Sequence, residues 1–396
     1  MRVWDADAHV EESETTFSDK YFDQAFADRR PIVVQSPRGI HWLIDGQCAM
    51  PKYVGAEMDR FFGTPQTMHG ERVNTLVRKT ESIEALEMRG TAARLKLMDD
   101  EGLELSVLYP TLFLAWPLTP YHDLGSALCR SYNNWLSDVC SEAPSRLKWV
   151  SIINPGDPQT AGNEIRRTRK MGASGTMVLG MVGNKSIGDA TFEPIWAAAA
   201  DVDMPITVHV GECTPLGYLA FHASLLMGFW GFMFSGILDR YKSLHVAFLE
   251  AGCMWLPFMM GRLEDLGSTE RFGTVANPDR PKHLPSRLIG VGGLAAAGTS
   301  APKLAPEEYI ARGNVFIGFE VEDKLLPWCI EEYGADCWLF GSDIPHYDRL
   351  KCAAGAFLER QDVSEQHKRK LLFENTARFY KWPLESPKLQ SAAAGG

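Results

Sequence analysis

The stretch VWDADAHVEE, residues 3–12, decides how the rest of the chain is read. It begins as a strand and ends in a crowd of ionisable groups: Asp5, Asp7, His9, Glu11 and Glu12. Side chains at i and i+2 of a strand share a face, so Asp7 and His9 project together and Asp5 sits one step deeper on that side. Chemistry gathered at the C-terminal end of a strand is the arrangement of a parallel βα barrel, which builds its site there. The reading therefore depends on whether later strands end the same way.

Working outward, β-rich runs alternate with helical patterns along most of the chain. Strands are predicted over Val3–Ala8, Leu105–Thr111, Leu147–Asn154, Ser174–Leu179, Ile206–Val210, His245–Leu249, Val315–Phe319 and Trp338–Gly341. Helices are predicted over Thr91–Glu101, Leu124–Ala143, Pro158–Lys170, Phe192–Asp201, Ala220–Tyr241, Met254–Leu266, Leu325–Tyr333 and Ser364–Tyr380. In the second of these, Leu124, Leu128, Tyr132, Leu136 and Cys140 fall on one helical face, and Pro144 follows as a stop. Strands alternating with helices in this number give a (β/α)8 TIM barrel in preference to a doubly wound open sheet.

Two segments break the repeat: residues 13–89 after strand 1 and residues 267–312 before strand 7. The second holds GVGGLAAAGTSAPKLAP, rich in Gly, Pro and Ala. Residues 1–383 are expected to form one barrel domain with these insertions, and residues 384–396, ending in SAAAGG, a flexible tail.

Composition narrows the partners. The chain of 396 residues has a net charge of -10 and scattered Lys and Arg, so the basic footprint of a nucleic-acid binder is missing. Its eight cysteines include no C-x-x-C pair, which fits a reduced, cytoplasmic setting, and Arg2–His9 is too short and polar for a signal peptide. No G-x-G-x-x-G follows the first strand and no P-loop occurs, so no nucleotide cofactor is expected. The run YLAFHASLLMGFWGFMFSGIL, residues 218–238, approaches the length of a membrane span, but it contains His222, two Ser and three Gly. A buried helix, or one covering a homodimer contact near Phe229, is the preferred account.

Strand ends carry the candidate site. PITVHVGE supplies His209 and Glu212, HVAFLEAG supplies Glu250, VFIGFEVE supplies Glu320 and LFGSDIPH supplies Asp343 and His346. Asp7, His9, His209 and Asp343 together offer two imidazoles and two carboxylates, a donor set suited to Zn²⁺, Mn²⁺ or Fe²⁺. Asp5 is expected to support His9 from behind, and Glu212, Glu320, His346 and His222 are candidates for the surroundings of the ion or for substrate contact. Phe113, Trp116, Phe229, Trp230 and Met233 are candidates for an apolar lining, with a core or a subunit interface an equal account of most of them.

Three strings carry a resemblance: DADAHVEE at residues 5–12, AFLEAGCMWLPFMMGRLED at residues 247–265, and LFGSDIPHYD with ENTARFYKW at residues 339–348 and 374–382. As a set they resemble the amidohydrolase-related (amidohydrolase 2) branch of the amidohydrolase superfamily, over nearly the whole chain. That branch includes aminocarboxymuconate semialdehyde decarboxylase and the resorcylate decarboxylases, alongside hydrolases and hydratases. The resemblance implies that Asp7 and His9 take the place of its H-x-H or E-x-H pair, His209 that of its strand-5 histidine and Asp343 that of its strand-8 aspartate. At the end of strand 6 the similar decarboxylases carry a catalytic histidine in an H-G-G setting, whereas this chain has Glu250 in LEAG.

A carboxylate at that point can take a proton from metal-bound water or ligate a second ion, and the branch also includes a thioesterase type with two non-haem irons. The expectation is therefore metal-assisted hydrolysis of an amide, ester, lactone or thioester of a small organic acid, with one or two divalent ions and with Glu250 or Asp343 carrying the proton. The alternative is a non-oxidative, metal-dependent decarboxylase of an aromatic or unsaturated carboxylic acid. A ligand-binding barrel without catalysis is the third reading, since fold alone does not fix chemistry.

Overall fold

The computed structural model describes residues 1–36, 39–51, 82–211, 218–267, 302–346 and 349–384. Glu212, the expected tail and most of the 267–312 insertion lie outside the described residues.

Eight strands lie side by side in chain order: β1 (Trp4–Val10), β2 (Leu105–Pro110), β3 (Leu147–Ile152), β4 (Gly175–Leu179), β5 (Ile206–His209), β6 (Val246–Leu249), β7 (Val315–Phe319) and β8 (Trp338–Phe340). Every paired neighbour is parallel. Their residues are almost all buried, as strands covered on both faces must be, which is why their sequences read as apolar runs.

The sheet curls until β8 meets β1. The backbone N–H of Asp343 donates to the Asp7 carbonyl at 3.0 Å, and the His9 N–H donates to the Ile344 carbonyl. Beneath these bonds the buried Asp5 carboxylate accepts from Ser106 Oγ on β2 at 3.1 Å, from Ser342 N at 2.9 Å and from Ser342 Oγ at 2.6 Å. One side chain of β1 thereby ties both neighbouring strands together. A register shift between Asp5 and Ala8 in the β1–β2 pairing marks a bulge, a device that re-aims side chains next to functional sites.

The expected helices are present: α1 (Thr91–Asp100), α2 (His122–Cys140), α3 (Pro158–Lys170), α4 (Glu193–Asp201), α5 (Tyr218–Phe234), α6 (Trp255–Gly267) and α7 (Leu326–Tyr333). After β8 the chain runs through Ala353–Glu359, Glu365–Arg369, a π turn at Lys370–Glu374, and Asn375–Tyr380. Tyr380 closes the lower end of the barrel, its hydroxyl 2.7 Å from that of Tyr109.

Two features differ from the sequence reading. The first insertion contains an antiparallel sheet of Ile32–Ser36, Gly39–Ile44 and Gln47–Pro51. The apolar helix stops at Phe234 rather than Tyr241, because Gly236 turns left-handed (φ +66) before a short helix at Ile237–Arg240.

The same helix shows why it is so apolar. A Cβ on Gly180, in the connection after β4, would lie 1.8 Å from the Ser224 carbonyl oxygen, and one on Gly188 would lie 2.5 Å from that of Gly231. So α5 sits backbone to backbone on the β4 connection, and Phe229 and Met233 are buried within the chain. Among the described residues no helix is long and apolar enough to cross a membrane. The six cysteines with described side chains, Cys129, Cys140, Cys253, Cys329, Cys337 and Cys352, are all free thiols.

Candidate metal centre

Asp7 and His9 end β1, His209 ends β5, Glu250 follows β6, and Asp343 and His346 follow β8. Glu250 and Asp343 both take left-handed backbone conformations (φ +62 and +55). Such a conformation costs a residue with a Cβ about 1–3 kcal/mol and is characteristic of active sites. Both carboxylates are turned off their strands and over the barrel mouth.

The donor atoms converge. His9 Nε2 lies 3.6 Å from Asp7 Oδ1, 3.7 Å from Glu250 Oε2 and 3.5 Å from Asp343 Oδ1, and His209 Nε2 lies 3.3 Å from Asp7 Oδ1 and 3.2 Å from Glu250 Oε2. Ligands held about 2.1 Å from a divalent ion are separated from one another by about 3.0–3.5 Å. The spacing of this set matches that of donors around one ion.

Hydrogen bonding fixes which nitrogens face inward. His9 Nδ1 lies 2.8 Å from the Pro110 carbonyl and His209 Nδ1 lies 2.9 Å from the Val210 carbonyl, so each Nδ1–H donates outward and each Nε2 lone pair points to the centre. His9 Nε2 and Glu250 Oε2 are buried atoms with no hydrogen-bond partner. A buried polar atom without a partner is costly, and a cation between these two supplies the missing interaction.

Electrostatics support the same placement. Burial, followed by the charges of His346 and His209, holds the His9 imidazole well below its usual value. Burial would lower His209 as well, but Asp7 and Glu250 outweigh it and bring that imidazole up to about 9. Burial raises Asp7 despite His209 beside it, whereas Glu250 is held below the usual range by His209 and His346 against burial. Without a cation the cluster stabilises itself by sharing protons between imidazoles and carboxylates.

Exposure is graded across the cluster. His9 and His209 side chains are fully buried, while those of Glu250, Asp343 and His346 are 17%, 18% and 13% exposed. The open side, where a substrate can approach, therefore lies between β6 and β8.

The remaining expected residues with described side chains are not among these converging donors. Asp5 lies in the strand seam, where it accepts from two serines and from the backbone N–H of Asp7. Glu320 stands at the end of β7, where desolvation and the charges of Asp343 and Glu250 hold its carboxyl well above its usual value, and His222 is exposed on α5, close enough for its charge to be felt by Glu250. Phe113 and Trp116 stack at 6.2 Å and line an apolar cleft with Ile152, Ile153, Pro155 and Met177–Leu179, at the ends of β3 and β4. The sequence reading missed Thr111, just past β2, whose Oγ1 lies 3.1 Å from His346 Nε2. The rule of searching strand ends, applied to β2, would have found it.

Residues 120–288 match the amidohydrolase family model Amidohydro_2. A curated relative, the gamma-resorcylate decarboxylase of Polaromonas sp. strain JS666, is 24% identical over 311 residues, covering 73% of this chain and 86% of the relative. Among solved structures, an amidohydrolase from Mycobacterium avium subsp. paratuberculosis K-10 superposes with a TM-score of 0.74 at 20% identity, covering 96% of this chain and 97% of the other. The 5-carboxyvanillate decarboxylase of Novosphingobium aromaticivorans DSM 12444, solved with bound manganese and a nitrobenzoic acid, gives 0.65 at 19% identity with the same coverage. The barrel and the resemblance to the amidohydrolase-related branch are thus borne out.

The expectation of hydrolysis is corrected by these findings, because the relatives named for a reaction are decarboxylases. The physical reason for the misreading is Glu250. Its presence in place of a histidine was taken to make it a base for water or an ion ligand and so to favour hydrolysis, but a carboxylate whose Oε2 stands among the other converging donors does not by itself select that reaction.

Proposed function

We propose that the chain is a metal-dependent, non-oxidative decarboxylase of an aromatic carboxylic acid. The observation that carries this reading is the inward convergence of Asp7, His9, His209, Glu250 and Asp343 in a chain similar along most of its length to gamma-resorcylate decarboxylase. Three carboxylates and two imidazoles form a predominantly hard donor set, which suits Mn²⁺. Manganese is also the ion named with the carboxyvanillate enzyme and with a dihydroxybenzoic acid decarboxylase of similar fold. One ion per chain is favoured, since each inward imidazole has a single lone pair to give and both point to the same centre.

When bound, the cation supplies positive charge that orients the substrate carboxylate and a neighbouring hydroxyl. The chain's own groups do the rest. Burial of His9 and His209 keeps water from the inner side of the centre, and the partly exposed edge at Glu250 and Asp343 admits the ring. In the reaction the ring-to-carboxyl bond breaks, CO₂ departs, and its electron pair stays on the ring carbon, which takes one proton. We assign delivery of that proton to Asp343, which lies at the mouth in contact with His346.

The test is CO₂ release from a panel of hydroxylated benzoates by Mn²⁺-loaded protein. Stoichiometric CO₂ with loss of the carboxyl group is the expected result. Turnover of an ester or amide panel with no CO₂ from any benzoate would contradict it.

A further inference from the structure

His346 is engaged by Asp343 and His9 of the centre and by Thr111 beyond it. Its Nδ1 lies 2.5 Å from Asp343 Oδ1, its backbone N–H donates to the Asp343 carbonyl at 2.8 Å, and its Nε2 lies 3.1 Å from Thr111 Oγ1. Its ring also lies against that of His9, with centroids 4.0 Å apart and planes inclined by 33°.

By residue type and proximity His346 could be a ligand, for His9, Glu250, Asp343 and His346 place donor atoms within 4.8 Å of one another. Two distances decide against it. Atoms sharing an ion are separated by about 3.0 Å or more, so the 2.5 Å from His346 Nδ1 to Asp343 Oδ1 is an ion-pair contact and not an edge of a coordination polyhedron. The other ring nitrogen is taken by Thr111. Neither nitrogen is left for a cation.

We infer that His346 is a positioning residue for the metal centre: linked to Thr111 of the β2 connection, it fixes the Asp343 carboxylate by an ion-pair contact and the His9 ring by packing against it. This rests on the metal-centre reading above and adds to it a role for two residues outside the ligand set. The need is evident in the backbone, since Asp343 sits in a left-handed conformation and its carboxylate must be held from outside. Because β1 and β8 meet at the barrel seam, a group that touches His9 and Asp343 together also sets the distance between ligands from the two strands. Partners of this kind typically contribute about 10–100-fold to metal affinity.

The experiment is an equilibrium titration of Mn²⁺, followed by the electron paramagnetic resonance of the free ion, on wild type, His346→Ala, His346→Asn and Thr111→Val. The expected result is one ion per chain throughout, with affinity weaker by about 10–100-fold in His346→Ala. Affinity should be largely recovered in His346→Asn, whose amide can donate to Asp343, and weakened to a smaller degree in Thr111→Val. Unchanged affinity in the variants, or affinity in His346→Asn no better than in His346→Ala, overturns the positioning role. Wild type that binds no ion overturns the metal centre itself, a result distinct from either.

Discussion

The Asp5 carboxylate receives both donors of Ser342, the backbone N–H at 2.9 Å and the hydroxyl at 2.6 Å, across the seam where β8 meets β1. It also accepts from Ser106 on β2 at 3.1 Å and from the backbone N–H of Asp7 at 3.2 Å, so Asp5→Ala leaves four buried donors without their acceptor. Each such group costs about 1–3 kcal/mol, and partial relaxation leaves an expected loss of about 2–5 kcal/mol in unfolding free energy. Asp5→Asn keeps an acceptor oxygen and should lose less. Denaturant titration checks both, and an Asp5→Ala variant as stable as wild type would mean that the seam is held elsewhere.

Glu12 accepts from Leu112 N at 2.8 Å and Thr111 N at 3.2 Å, and burial, reinforced by Glu11, pushes its carboxyl up to about 8 against those hydrogen bonds. In the unfolded chain the group titrates near about 4.3. Between these values the native state holds a proton that the unfolded state has released, so stability falls as pH rises through the window, by at most about 1.4 kcal/mol per pH unit. Glu12→Gln carries no such proton. The difference between variant and wild type should shift in favour of the variant from pH 5 to pH 8, and denaturation midpoints that differ equally at both pH values would remove Glu12 as the cause.

Removal of the ion should destabilise the fold as well as stop turnover. Asp7, Glu250 and Asp343 then rely on imidazoles alone for compensation. Readdition of Mn²⁺ at about a thousand times its dissociation constant should restore about 4 kcal/mol. The melting temperature against Mn²⁺ concentration, with Glu250→Gln alongside, measures this. The variant should need at least about 100-fold more metal for the same shift, since loss of a ligand exceeds loss of an outer partner.

Gly180→Ala forces a methyl group onto the Ser224 carbonyl oxygen 1.8 Å away, and the obstacle is backbone that cannot turn aside. A loss of about 3 kcal/mol or more is expected. Tolerance of the substitution would show that α5 can lift from the β4 connection.

How much of this was legible in the sequence follows from what each feature depends on. The strands of the barrel showed themselves because burial on both faces makes them apolar runs, and Asp7, His9, His209, Glu250 and Asp343 because such runs end abruptly in charge. Asp5 looked like a support for His9, yet its bonding partners Ser106 and Ser342 are distant in sequence and neutral, so no local pattern announces the seam. The antiparallel sheet at Ile32–Pro51 was hidden inside an insertion read only as an interruption of the βα repeat. The reaction was misjudged at Glu250 because a carboxylate at that strand end suits both proton transfer to water and the holding of an ion, and residue type alone does not choose between reactions. Thr111 and His346 form a pair across the barrel mouth that only the closed fold brings together.

The central claim is loss of a carboxyl group with proton replacement on the ring. The most direct measurement is mass spectrometry of the product formed by the Mn²⁺-loaded protein from a hydroxylated benzoate in D₂O containing ¹⁸O-water. The account predicts a product lacking the carboxyl group and carrying one deuterium at the vacated ring carbon, with no ¹⁸O incorporated. A product that keeps the carboxyl group, or that gains ¹⁸O in place of ring deuterium, would contradict it.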